Sequence, residues 1–246
     1  MLKLIKKFIN FRKKNTKYNK YYAQFAEDIV ANVAFLSLFN DKISSYIEIG
    51  SNNPTQDNNT YYFYKNNSIK KGVLIEPNPK YAYTPKERPK DVFLPCGIAF
   101  NDEKEADYYD FGDIANALNT FSKERAQITE KNYPLQKIHK IKLVKIQEVL
   151  DEYFAQTGLD YFSIDVEGLE YQILKQINFE KIRPKMFCIE ANKNDLSYNY
   201  QNEIINLMKS YNYALVADTF INYIFADTTQ MNSILEMKFN NIELKK

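Results

Sequence analysis

Five carboxylates follow apolar, strand-like runs along this chain, and a lone glycine follows the first of them. The acids are Glu48, Glu76, Asp165, Glu167 and Glu190, and the glycine is Gly50. In a parallel sheet the carboxyl ends of the strands meet at one edge, and ligands bind there. A carboxylate at that edge can accept hydrogen bonds from hydroxyl groups or take up a proton. The spacing therefore predicts one acidic binding cleft.

The residues that follow the first two strands restrict the class of ligand that the cleft can bind. Glu76 ends the next strand, where a carboxylate can accept hydrogen bonds from both ribose hydroxyls of a nucleotide. A dinucleotide would also need clustered glycines to hold its pyrophosphate at a helix N-terminus. Here Gly50 is followed by Ser51 and Asn52 instead. A nucleoside without phosphates fits better, and S-adenosylmethionine, with its ribose and its sulfonium cation, is such a molecule.

The hydrophobic pattern alternates between strands and helices, which predicts an α/β fold with a mainly parallel sheet covered on both faces. Strands are predicted at IEIG, KGVLIEPNP, DVFLPCGIAF, LDYFSIDVEG and PKMFCIEAN, with EKEADYYDF as an extended continuation of the third. Helices are predicted at residues 21–39, TYYFYKNN, IQEVLDEYF, LEYQILKQI and about residues 201–211. YALVADT and FINYIFAD are predicted to close the chain as a hairpin.

Charge and length divide the chain into two parts. Residues 1–20 contain eight Lys or Arg and no acid, leaving 25 basic and 31 acidic residues for the rest. We expect 1–20 to form a basic amphipathic helix, either solvated or in peripheral contact with an anionic membrane. Residues 21–246 are expected to form a single domain, with an irregular insertion at about 112–137. The acidic body argues against nucleic acid as a partner, and Cys96 and Cys188 indicate a reduced, intracellular protein.

Seven short motifs occur in an order that resembles the FkbM family of S-adenosylmethionine-dependent methyltransferases. They are QFAED (24–28), YIEIGSNNP (46–54), NNTYYFYKN (58–66), KGVLIEPNP (71–79), NTFSKE (119–124), YFSIDVEGLEYQIL (161–174) and RPKMFCIE (183–190). IDVEGLE is the most specific of them. The sequence departs from the family at Ala26, where glycine is common, and at Ser51-Asn52-Asn53, where an alanine-containing turn is usual.

The resemblance implies a class I methyltransferase, Rossmann-like fold: a seven-stranded sheet of order 3-2-1-4-5-7-6, strand 7 antiparallel, with helices on both faces. It also implies O-methylation of a sugar hydroxyl, in a surface glycan or a nucleotide-linked precursor, in cytoplasmic polysaccharide biosynthesis. The residues and the resemblance together assign the cofactor to Gln24, Asp28, Glu48, Gly50, Ser51, Asn52, Thr60, Glu76, Pro77 and Asp165. The catalytic candidates are Asp165, Glu167 and Glu190.

Three alternatives stay open at this point. Asp165, Glu190 and Asn192 are hard oxygen ligands that could hold Mg²⁺ against substrate hydroxyls, or they could bind those hydroxyls directly. His139, the only histidine, could be a general base, but its flanking lysines favour a surface position. The chain could also be a catalytically silent glycan-binding protein of the same fold. A nicotinamide-dependent sugar oxidoreductase is a further alternative, disfavoured by the absence of a G-x-G-x-x-G motif.

Overall fold

The computed structural model describes residues 21–166, 168–191 and 201–232. The predicted basic helix at 1–20, Glu167 and Asn192 lie outside these ranges. The helices are α1 (Glu27–Phe39), α2 (Tyr61–Asn66), α3 (Thr84–Glu87), α4 (Lys123–Thr129), α5 (Ile146–Phe154), α6 (Glu170–Leu174) and α7 (Gln201–Ser210). None of the helices in the described parts of the chain has the length and hydropathy needed to cross a bilayer.

Ten strands form two sheets. They are β1 (Ser45–Ile49), β2 (Lys71–Ile75), β3 (Val92–Leu94), β4 (Gly97–Ile98), β5 (Glu105–Asp110), β6 (Lys137–Val144), β7 (Tyr161–Ile164), β8 (Met186–Glu190), β9 (Tyr213–Asp218) and β10 (Asn222–Asp227). The large sheet has the order β3-β2-β1-β7-β8-β10-β9. Counted within that sheet alone, this is 3-2-1-4-5-7-6, and β10 is antiparallel to both of its neighbours. The predicted class I methyltransferase fold is confirmed.

The central strands are buried because helices cover both faces of the large sheet. Side chains of a strand alternate between the two faces, and two apolar clusters result. Phe162 and Phe187 pack with α5 on one face, whereas Tyr161 and Met186 pack with α1 on the other. The core therefore holds the ends of β1, β2, β7 and β8 in fixed register at one edge of the sheet.

The predicted third strand is wrong as a single element. Pro95 separates Val92–Leu94, which pairs with β2, from Gly97–Ile98, which pairs with β6. Proline lacks the N–H that a ladder needs, so a break in the middle of an apolar run is physically expected. The second piece joins β5 and β6 in a small three-stranded sheet. The region predicted as an irregular insertion contains a 3₁₀ turn at Asn116–Leu118 and helix α4.

Candidate active site

The carboxyl ends of four parallel strands meet at a cleft of about 730 Å³, which we call the strand-end cleft. Its lining includes Gly50 after β1, Glu76 after β2, Asp165 after β7 and Glu190 at the end of β8. Parallel pairing of β1 with both β2 and β7 places these residues side by side. Eight of the sequence-predicted site residues line the cleft: Gln24, Glu48, Gly50, Asn52, Glu76, Pro77, Asp165 and Glu190.

Gly50 is required by the close approach of two strand ends. Its φ is 76°, in the left-handed region that disfavours side chains. A Cβ atom at this position would lie 1.8 Å from the carbonyl oxygen of Asp165. The backbone N–H groups of Gly50 and Ser51 both donate to the carbonyl of Ile75, at 3.0 and 3.2 Å. The turn after β1 is thereby locked between the ends of β2 and β7.

Glu76 is a buried carboxylate held by two backbone donors. Asn52 donates its N–H to Oε2, and Asn78 donates its N–H to Oε1, both at 2.7 Å. Burial raises the pKa of Glu76 to about 7; the two N–H bonds oppose this shift, and repulsion by Asp165 adds to it. Each carboxylate oxygen has two acceptor positions, so each keeps one for a ligand hydroxyl.

Glu48 is tied to the polar turn that follows β1. It accepts hydrogen bonds from the N–H of Asn59 at 2.9 Å and from the hydroxyl of Thr60 at 2.6 Å. Desolvation raises its pKa, and the Arg88 guanidinium opposes that shift. Thr60 is buried behind Glu48 and is not among the residues that line the cleft. Its visible role is to orient Glu48.

Arg88 is a buried residue that the sequence did not single out. Its guanidinium donates to Asp91 and Tyr46, both at 2.7 Å, and to Asn58 at 2.9 Å and Thr60 at 3.1 Å. Asp91 follows α3 three positions after Arg88, whereas Tyr46 lies on β1 and Asn58 and Thr60 lie in the loop before α2. The network fixes the turn that carries Asn59 and Thr60, the hydrogen-bond donors to Glu48, directly behind the strand-end cleft.

Asp165 and Glu190 form a hydrogen-bonded pair of carboxyl groups. Desolvation and repulsion by Glu170 raise the pKa of Asp165, and a side-chain hydrogen bond with Glu190 opposes the shift. Two carboxyl groups can hydrogen-bond to each other only when one of them is protonated. Glu190 is buried and Asp165 is partly exposed where they line the cleft. The pair can therefore hold and release a proton.

The turn after β7 is capped by Glu170. Its carboxylate accepts hydrogen bonds from the N–H groups of Val166 at 2.9 Å and Gly168 at 3.1 Å. Asp165 is consequently not needed as a cap and is left facing the cleft. Glu167, predicted as catalytic, lies between the described ranges, so its role stays a prediction.

Besides Thr60, two further predicted cofactor residues lie away from the cleft lining. Asp28 is buried and accepts hydrogen bonds from the N–H groups of Tyr22 at 2.6 Å and Ile29 at 2.8 Å; burial raises its pKa to about 6. Ser51 is also buried, and its hydroxyl has no hydrogen-bond partner among the described residues. Asp28 thus organises the entry to α1, while Gln24 from the same motif lines the cleft.

The predicted Mg²⁺ site is only partly described. Asp165 and Glu190 are adjacent, but Asn192 lies outside the described ranges. Within those ranges no group of three His, Cys, Asp or Glu side chains is arranged to hold a metal ion. His139 lies on β6 with its Nε2 3.1 Å from Asp110 Oδ2, and it does not line the cleft.

The chain between β5 and α4 supplies a wall of the cleft. Asn119, Thr120, Phe121 and Ser122, which form the NTFS motif, line it together with Asn116. The side-chain amide of Asn116 donates to the hydroxyl of Tyr81 at 2.5 Å. Tyr81 and Asn116 were missed by sequence reasoning, since their contact spans 35 positions in the chain. The NTFS motif was the one sequence signal for this wall.

The FkbM methyltransferase domain model matches residues 48–215. No curated protein matches the chain. Among solved structures, TrmK from M. capricolum in complex with S-adenosyl-homocysteine is 12% identical, with a TM-score of 0.44, over 84% of this chain and 70% of that chain. The spermidine synthase of Thermotoga maritima is 11% identical, with a TM-score of 0.40, over 89% and 66%.

A methyltransferase FkbM from Methylobacillus flagellatus KT is 14% identical, with a TM-score of 0.43. The similarity covers 75% of this chain and 43% of that one, so the chain spans less than half of that protein's length. No substrate or residue role carries over from structures this distant. The family model spans more than half of the chain, including Glu48, Glu76, Asp165 and Glu190. The chain belongs to the FkbM family of S-adenosylmethionine-dependent methyltransferases.

Proposed function

We propose that the chain transfers the methyl group of S-adenosylmethionine to a hydroxyl of a sugar, in a surface glycan or a nucleotide-linked precursor. The main observation behind the proposal is that a carboxylate suited to ribose and a pair of carboxyl groups suited to proton transfer line the same cleft. Glu76 offers acceptors for ribose hydroxyls, and the Asp165–Glu190 pair offers a site for a proton. A nucleoside cofactor and a hydroxyl acceptor need these two functions side by side.

The residues present fit a bound S-adenosylmethionine. Gly50 lets the turn after β1 lie directly against the backbone of Asp165, an approach that any side chain would prevent. Glu76 retains an acceptor position on each oxygen after its two backbone bonds. Acids around the cleft also suit a sulfonium cation.

The chain's own contribution is positioning and proton transfer. Bound S-adenosylmethionine supplies an electrophilic methyl group. As the new C–O bond forms and the C–S bond breaks, the acceptor hydroxyl must lose its proton. The carboxylate of Asp165 accepts that proton, because burial raises the pKa of Asp165 towards the working pH. Holding the acceptor oxygen in line supplies much of the remaining rate.

The turn after β1 disfavours the oxidoreductase alternative. A pyrophosphate needs N–H donors at this turn. Those of Gly50 and Ser51 are bonded to Ile75, and that of Asn52 is bonded to Glu76. A dinucleotide would have to break these bonds and bring two phosphate charges close to a buried carboxylate.

Radiolabelled methyl transfer to a panel of sugars, after S-adenosylhomocysteine binding has been measured by calorimetry, tests the proposal. We expect binding and a base-stable methyl ether in the product, since an ether survives alkali that cleaves a methyl ester. Binding without any transfer would favour the silent glycan-binding alternative. Failure to bind S-adenosylhomocysteine would reject the cofactor assignment itself.

A further inference from the structure

The charged side chains that line the strand-end cleft are mostly acids. The acids are Glu48, Asp57, Glu76, Glu103, Asp165 and Glu190. Among the described lining residues, the one cation is Lys80. Lys80 lies 2.6 Å from Asp113 and is 43% exposed, so its charge is already paired. Asp57 and Glu103 are exposed and therefore lie at the mouth of the cleft, where an acceptor enters.

Backbone donors that could hold a phosphate are also engaged. At the turn after β1, three consecutive N–H groups donate to Ile75 and Glu76. At the turn after β7, the N–H groups of Val166 and Gly168 donate to the carboxylate of Glu170. Anion-binding sites are built from clustered N–H groups that point at the ligand. In these two turns the N–H groups instead donate to the carbonyl of Ile75 and to the carboxylates of Glu76 and Glu170.

The uncharged polar lining is rich in amides. Its members are Gln24, Asn52, Asn53, Gln56, Asn78, Asn101, Asn116 and Asn119. The side-chain oxygens of Asn53, Asn78, Asn101 and Asn119 already accept backbone N–H groups, so these four contribute their NH₂ groups as donors. An amide both donates and accepts hydrogen bonds, as a sugar hydroxyl does. Phe100 lines the same cleft and is 39% exposed. An exposed aromatic face beside amides offers an apolar surface to the C–H face of a sugar ring.

We propose, on the basis of the proposed function, that the acceptor is an uncharged sugar residue of a glycoside or glycan. Nucleoside diphosphate sugars are excluded as acceptors. The acids at the mouth repel the diphosphate, and none of the described lining cations is unpaired to receive it. The amides and Phe100 supply the contacts that a neutral sugar needs.

A first experiment compares methyl glycosides with the nucleoside diphosphate forms of the same sugars as acceptors. We expect kcat/KM to be at least about tenfold higher for the neutral member of each pair. A nucleoside diphosphate sugar that is methylated as well as its glycoside would overturn the proposal. In parallel, calorimetry measures uridine diphosphate binding to the protein loaded with S-adenosylhomocysteine, which needs no turnover. We expect no binding, and binding to the wild type would also overturn the proposal.

A matched pair of charge reversals tests whether the mouth of the cleft sets this preference. Glu103→Lys changes a lining residue, and Glu105→Lys changes an exposed residue on β5 that does not line the cleft. We expect Glu103→Lys to bind uridine diphosphate at least about threefold better than Glu105→Lys. Equal binding by the two variants would contradict the proposal. If neither variant nor wild type binds S-adenosylhomocysteine, the proposed function fails instead.

Discussion

Single residues at the strand ends decide whether the cleft can exist. Gly50 is the clearest case, because its backbone and that of Asp165 approach too closely for any Cβ atom. Glu76 is the second, because both of its oxygens organise backbone N–H groups before any ligand arrives. The sequence predicted both positions: Gly50 from the turn after the first strand, and Glu76 from the acid that ends the second strand. The reason for the glycine, a contact with a residue 115 positions away, became visible only in the fold.

Gly50→Ala should damage the cleft, and Gly158→Ala is its matched control. Both glycines have positive φ, but a Cβ at Gly158 meets nothing within 4 Å. Gly158→Ala should lower the free energy of unfolding by about 1 kcal/mol, from backbone strain alone. Gly50→Ala should cost more stability and weaken S-adenosylhomocysteine binding at least about tenfold. Equal affinities of the two variants would contradict the role given to Gly50.

Glu76 predicts a pH dependence of stability. Its pKa in the folded protein is about 7, against an ordinary value of 4.5. A raised pKa gives a stabilising contribution that is complete below about pH 4.5 and is lost as the pH rises through about 7. In the protein without ligand, the free energy of unfolding of the wild type should therefore fall between about pH 5 and about pH 8. Glu76→Gln should make that fall smaller by about 1 to 3 kcal/mol.

Denaturant unfolding at those two pH values measures this difference. Glu152→Gln, an exposed change on α5, serves as the control and should keep the wild-type dependence. If Glu76→Gln keeps it as well, the carboxyl does not titrate in this range.

At the scale of elements, the backbone before α1 shows why the family commonly has glycine where this chain has Ala26. Ala26 precedes α1 with φ of 66°, a left-handed conformation that glycine adopts without strain. Its carbonyl accepts hydrogen bonds from the N–H groups of Ile29 and Val30, so the conformation is fixed. Glu27, the next residue, binds the side chain of Asn222 at 3.1 Å and thereby joins α1 to β10.

Ala26→Gly should therefore stabilise the protein. Relief of left-handed strain outweighs the added flexibility of the unfolded chain, giving a net gain of about 0.5 to 1 kcal/mol. Ala31→Gly, in the middle of the same helix and fully buried, should instead cost about 1 kcal/mol. Thermal or denaturant unfolding of both variants checks the pair. Destabilisation by Ala26→Gly would show that the side chain of Ala26 contributes packing that outweighs the strain.

At the scale of the whole molecule, alternating strands and helices predicted a mainly parallel sheet and the edge that carries the cleft, whereas the sheet order came from the resemblance to the family. The break at Pro95, which diverts the chain into the small sheet, was not predicted, because Gly97–Ile98 and Val92–Leu94 read as one apolar run. Arg88 and Tyr81 were missed because, apart from the bond from Arg88 to Asp91, the contacts that place them behind and beside the cleft are made with residues distant in sequence. Periodicity reports which face is buried, and it carries no signal for side chains that meet across loops.

The basic segment 1–20 supports a prediction about location that depends on charge. Eight cations without an acid would bind an anionic bilayer, with an affinity that falls as salt rises. Deleting 1–20 should abolish co-sedimentation with phosphatidylserine vesicles and leave turnover of a dissolved acceptor unchanged. Full-length protein that remains in the supernatant at low salt would reject membrane contact.

The most direct test of the central claim is calorimetry of S-adenosylhomocysteine binding to wild type and Glu76→Ala. We expect the ribose hydroxyls to bind Glu76, and a hydrogen bond to a buried carboxylate contributes about 1.5 to 3 kcal/mol. Wild type should bind, and Glu76→Ala should bind at least about tenfold more weakly. Glu103→Ala, at the mouth of the cleft, should bind the cofactor product as wild type does. Normal binding by Glu76→Ala would contradict the assignment of the cofactor to the strand-end cleft.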